Sequence, residues 1–188
     1  LDKEIKDYMN AAVQKAPTTY AASLIRMSIE PDQVEIKTAE GKVDSSATYY
    51  HYRQHYWDNT DPTDERILRA PVFQNKFDEY IGKVVPQIPD TINKLADDLI
   101  SRMSSTPELF KFAVHNITYK YETSEIMGMD AVFVHMAQSY YCPKGNEPSK
   151  ATWMSKDKLD KLCERARKQA PIVIGAKAKN IILTDTTE

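Results

Sequence analysis

The stretch TPELFKFAVHNITYKY, residues 106–121, decides the fold. It opens with Thr106, whose hydroxyl can cap a helix, then Pro107 at the first helical position and Glu108 in the first turn. Leu109, Phe110, Ala113, Val114, Ile117 and Tyr121 follow at steps that trace one face of a 3.6-residue period. A half-buried strand would alternate instead.

Outward from this helix the same period recurs. Upstream, Asp90 opens a segment with Ile92, Leu95, Ala96, Leu99, Ile100 and Met103 on one face. Before it, Pro71 stands where a first helical residue belongs, ahead of Val72, Phe73, Phe77, Tyr80, Ile81 and Val84. Residues 2–16 carry Ile5, Tyr8, Met9, Ala12 and Val13 as an amphipathic stripe. Pro17 interrupts it, and residues 18–29 resume it with Tyr20, Leu24 and Met27. A further helix is expected from Ala47 to about Asp58. Downstream, Gly128 to Tyr141 is apolar almost all round and belongs at the centre. Ser155 to Ala170 turns Leu159, Leu162, Cys163 and Ala166 inward.

The connections have turn chemistry. Residues 31–46 are polar and contain Gly41, DNTDPTDE at 58–65 has Asp, Asn and Pro62, and CPKGNEPSK at 142–150 is a loop. The expected fold is therefore all-α, an antiparallel bundle or helix-pair array of about seven or eight helices. No repeat signature of paired-helix arrays is present.

Composition agrees. The 188 residues hold only 5 glycines, too few for the phosphate-cradling loops of parallel-sheet enzymes. With 25 basic and 27 acidic residues, no whole-molecule field recruits nucleic acid. Basic charge does gather from Lys144 to Lys179, with ten Lys or Arg against four acids, and reads first as a solvated helix face. No apolar run reaches membrane-spanning length. Cys142 and Cys163 form no C-x-x-C and no metal-ligand spacing. They read as structural cysteines, with a disulfide possible in an oxidising compartment.

The most suggestive local feature is YYHYRQHYWDNTD, residues 49–61. On a helix His51 and His55 share a face with Asp58 a turn further on, a geometry that can hold a metal. The glutamate of H-E-x-x-H is missing, and no second ligand cluster follows at suitable spacing. Tyr49, Tyr52 and Tyr56 take one helical face and Tyr50, Arg53 and Trp57 the next. Large amphipathic rings of this kind build a core wall, or line a binding groove. The candidate binding surface is accordingly Tyr49, Tyr52, His55, Tyr56 and Trp57. His115 and His135, mid-helix among apolar neighbours, read as satisfied core histidines. The acids of 58–65 miss the calcium-loop register at Pro62 and Thr63. No catalytic, cofactor-binding or metal-ligating residue is assigned, and no cofactor is expected.

The C-terminal segment IGAKAKNIILTDTTE, residues 174–188, departs from the helical pattern. Gly175, Ala178, Ile181, Leu183 and Asp185 resemble the start of thioredoxin-like domains of the peroxiredoxin and TlpA type. HYWDNTDPTDERILRAPVF and YETSEIMGMDAVFVHMAQSYY resemble the helical domain that precedes the thioredoxin fold in secreted Bacteroidetes-type thiol–disulfide oxidoreductases. The resemblance implies a helical accessory domain over residues 1–174 and the first strand of a truncated thioredoxin-like domain over 175–188. It further implies a non-catalytic role, with that missing domain, and possibly a client protein, as partners. The implied location is the periplasm or cell envelope, with the parent possibly lipid-anchored. The alternative is a free-standing helical protein binding a small ligand or peptide on the Tyr49–Trp57 face.

Overall fold

The computed structural model describes residues 3–32 and 34–177. Among them lie eight α-helices and no sheet: α1 (Lys3–Lys15), α2 (Tyr20–Ser28), α3 (Ser45–His55), α4 (Pro71–Glu79), α5 (Pro89–Arg102), α6 (Pro107–Glu122), α7 (Asp130–Met136) and α8 (Lys156–Gln169). The fold is all-α, as the apolar spacing requires. The strand expected after residue 174 falls largely on residues 178–188, outside those described. At its described start, Gly175 has φ of 86°.

Local chemistry sets the boundaries. The side chain of Asp44 accepts the Ala47 N–H and starts α3, and that of Thr19 accepts the Ala22 N–H and starts α2. In 58–65, Asp61 accepts both the backbone N–H (2.9 Å) and the hydroxyl (2.7 Å) of Thr63. Asp64 then caps a short 3₁₀ turn, Glu65–Arg69, which the apolar period does not reveal. The Thr106 hydroxyl donates to the Pro62 carbonyl at 3.1 Å.

Two helices end in a wide π turn: α4 continues through Tyr80–Val84, and α7 through Ala137–Tyr141. The Val85 N–H reaches back to Tyr80 O and that of Cys142 to Ala137 O, each at 2.8 Å. Pro86 and Pro143 come next. A residue before proline is driven out of the helical region, and Val85 and Cys142 are both extended. The widened turn also keeps Tyr80, Ile81 and Val84, and likewise Ala137, Tyr140 and Tyr141, buried.

The chain forms two compact units, residues 1–87 with 98–110 and residues 88–97 with 111–188. In the first, an aromatic cluster makes the core. Tyr80 lies 5.2 Å from Tyr56 and 5.3 Å from Trp57 between ring centroids, and Phe73 continues the cluster from Trp57 at 6.3 Å. Ile67, Phe77, Ile81 and Met103 close around it. In the second, Ile92, Ala96, Val114, Ile117, Val132, Phe133 and Met136 are buried, with Tyr141 against Trp153. The centrality expected of Gly128 to Tyr141 holds within this unit.

One expectation needs correction, that of His115, and two segments gain detail. The α1 stripe is not core: the helix has no buried residue, and Ile5 and Tyr8 are exposed. Its period is right, but α1 packs on α2 through only part of that face. His115 is exposed and stacked on Tyr119, because it lies just outside the arc defined by Val114 and Ile117. The polar connection before α3 turns at the glycine read in it. Lys37 and Val43 form an isolated antiparallel bridge around a turn in which Gly41 has φ of 78°.

Candidate functional site

In the first unit, α3 and the 36–44 hairpin border an open groove of about 390 Å³. Glu35, Val43, Ser45, Thr48, Tyr49 and Tyr52 line it. Asp44 joins the two elements, since its N–H donates to Ile36 O at 2.8 Å while its carboxylate caps α3. Thr48 adds a tie, its hydroxyl oxygen accepting the Ile36 N–H at 3.1 Å. The groove wall is thus fixed to the helix that carries the rings.

The five candidate residues separate into three roles. Tyr49 and Tyr52 are half-buried and face the groove. The Tyr49 hydroxyl donates to the Val84 carbonyl, which holds that ring in place. Tyr52 meets Tyr56 edge-on at 5.8 Å. Tyr56 and Trp57 are core, 2% and 7% exposed, and of the two Tyr56 meets a groove ring, that of Tyr52. His55 points elsewhere: its Nδ1 lies 2.5 Å from Asp58 Oδ2, and its ring lies 4.4 Å from that of His51, tilted by 43°. His51, His55 and Asp58 do come together as the helical spacing predicts. Among the described residues, however, no group of three or more His, Cys, Asp or Glu side chains could hold a metal.

Behind the rings stands Lys76, which the sequence reading missed. Only 8% exposed, it lies with its ammonium 4.6 Å from the Tyr56 ring centroid and 3.3 Å from the Met27 carbonyl, to which it donates. Burial pushes its pKa down, opposed by Glu30 and Glu79. Burial pushes the Tyr56 hydroxyl up, with Glu79 adding to it, and does the same to Tyr52 with help from Glu30 and Glu79. These phenols stay protonated and act as neutral hydrogen-bonding groups: Tyr56 donates to the Lys76 carbonyl at 3.1 Å.

A polar network also lies in the second unit. His135 Nε2 sits 3.0 and 2.9 Å from the two oxygens of Asp97, and Tyr140 donates to the first of these at 2.7 Å. His135 is half-buried and satisfied by this carboxylate.

A family model described as a domain of unknown function, DUF5106, matches residues 3–169. The chain belongs to this family. No curated protein and no solved structure matches it. The DUF5106 match spans all eight helices and so contains the groove, both π turns and both cysteines. Residues 170–188 lie beyond it.

Within the DUF5106 domain the cysteines are paired, Cys142 with Cys163, at a Cα–Cα distance of 5.5 Å. No helix of the described residues is long and apolar enough to cross a membrane.

Proposed function

We propose that this DUF5106 domain is a non-catalytic docking module whose α3 groove receives an extended segment of a partner protein. The observation that carries the reading is the groove itself, with two rings held rigidly at its wall and buried aromatics as its foundation. Rigid, half-exposed tyrosines give contact area with little loss of rotamer freedom on binding. The acids nearest Tyr52, Glu30 and Glu79, act on it only through their charge and offer no paired acid and base.

The partner suggested by the resemblance of residues 174–188 is the thioredoxin-like domain of a secreted thiol–disulfide oxidoreductase, or its client. The Cys142–Cys163 disulfide supports a periplasmic or cell-envelope setting, since such bonds persist in oxidising compartments. A second reading, a free-standing protein binding a small ligand, is favoured by the groove volume of about 390 Å³. That falls within the range of roughly 300–1,000 Å³ typical of ligand pockets.

The test is a binding titration between the chain and a thioredoxin-like domain of a secreted thiol–disulfide oxidoreductase, followed through groove resonances. Binding should weaken at least ~10-fold in Tyr52→Ala, the loss of about 1.4 kcal/mol expected for one anchoring ring. Unchanged binding in Tyr52→Ala rejects the groove. Saturable shifts with small aromatic compounds but none with the domain favour the second reading.

A further inference from the structure

We propose that the Cys142–Cys163 disulfide is a redox latch on α8, opened by a thiolate that enters a small cavity at Cys142. The inference rests on the second unit alone and stands whether or not the α3 groove binds a partner.

The two sulfurs are in unlike places. Cys163 lies mid-way along α8 and is buried, 7% exposed. Cys142 is half-exposed and borders a cavity of about 80 Å³ with Ser139, Tyr140, Lys144, Glu147 and Lys150. Lys144 and Lys150 bring two positive charges to this mouth against one from Glu147, and Lys150 lies 5.3 Å from the Tyr140 ring. Thiol–disulfide exchange proceeds by attack of a thiolate, an anion that such a mouth attracts.

The chemistry then has one direction. A thiolate of an external dithiol attacks Cys142 Sγ and forms a mixed disulfide. The Sγ–Sγ bond breaks, and Cys163 leaves as a thiolate that takes a proton from water. The second thiol of the reagent gives its proton to water, attacks the reagent sulfur of the mixed disulfide and releases Cys142 as a thiolate, which takes up a proton. Two electrons pass from the dithiol, which becomes a disulfide, and the cysteines end as two thiols.

What the bond holds is α8. The buried residues of this helix are Cys163 and Ala166, with Leu159 and Leu162 half-buried. Arg165 adds a tie, pairing with Glu122 and lying 4.8 Å from the centroid of the Phe133 ring. A helix with so little buried apolar surface is a candidate for local opening once its covalent tie is cut. Release of α8 uncovers the faces of α7 and of the Ala137–Tyr141 turn on which it packs.

Two measurements on the intact oxidised chain test this. After reduction with dithiothreitol, amide exchange in α8 should accelerate at least ~10-fold while α3 and α7 keep their protection. Protection retained in α8, or lost throughout the chain, overturns the latch. After brief exposure to glutathione, acid quenching and alkylation, peptide mapping should find glutathione on Cys142 and the alkyl group on Cys163. The reverse pattern, or no adduct without denaturant, overturns the route. Replacing both exposed lysines, Lys144→Gln with Lys150→Gln, should slow reduction roughly threefold without changing the melting temperature. An unchanged rate overturns the role of the cavity.

Discussion

At the scale of single residues, Lys76 shows most directly how chemistry and fold meet. It falls three positions after Phe73 and four before Tyr80, so the period of α4 already places it on the apolar face. That signal was legible, but a charged residue there is passed over because lysine so often snorkels to solvent. Here the ammonium stays inside, over Tyr56. Its folded pKa lies below the ordinary lysine value of 10.5, because burial penalises the charged form. The folded state therefore holds this proton less tightly than the unfolded chain does. Below the folded pKa both states are protonated and the full penalty is present. As pH rises from there towards 10.5, the unfolded chain binds more protons and stability rises. Lys76→Met, which keeps the length and drops the charge, should accordingly stabilise the protein at neutral pH by about 1 kcal/mol. Its advantage should shrink as pH approaches the unfolded lysine pKa. Denaturant melts of both proteins across that range check this, and a less stable Lys76→Met at neutral pH would refute it.

At the scale of elements, the turns explain which parts of the fold could be read in advance. Helices with a strong cap or an initial proline, such as α4 and α6, begin where the sequence places them. The ends of α4 and α7 are governed by Pro86 and Pro143, but that each end widens into a π turn depends on tertiary burial of Tyr80, Ile81 and Tyr141. Periodicity carries no mark of it. The 36–44 hairpin was illegible for a related reason. One bridge and a glycine turn leave no alternating run, and what fixes the segment is its neighbour α3. Asp44 is the joint, so its loss acts on both elements. Asp44→Ala should cost about 1 kcal/mol, the ordinary value of a cap. Faster amide exchange at Ala47 and at Asp44 itself should accompany it, loosening the Tyr49–Tyr52 wall. Loss of stability with the Asp44 amide still protected would separate the cap from the hairpin and refute the coupling.

At the scale of the whole molecule, the all-α class was readable because most of the chain repeats one period, and the binding surface was readable only in part. Tyr49 and Tyr52 were separable from Tyr56 and Trp57 only once the hairpin supplied the opposite wall. The sequence likewise left open whether the cysteines pair, and the pairing bears on what the chain can catalyse. A turning-over dithiol needs a stabilised thiolate, commonly at a helix N-terminus, with a resolving thiol beside it. Cys142 instead follows the C-terminal end of the Ala137–Tyr141 turn, not a helix N-terminus. Cys163 is buried inside α8, away from either terminus. Reduced once by a dithiol, the pair has no thiol at a helix N-terminus with which to attack a second disulfide. In an insulin-reduction assay the chain should therefore match the blank while consuming a single equivalent of dithiol on its own bond. Turnover above the blank that disappears in Cys142→Ser would show that the latch is a catalyst, and would overturn the non-catalytic reading of the domain.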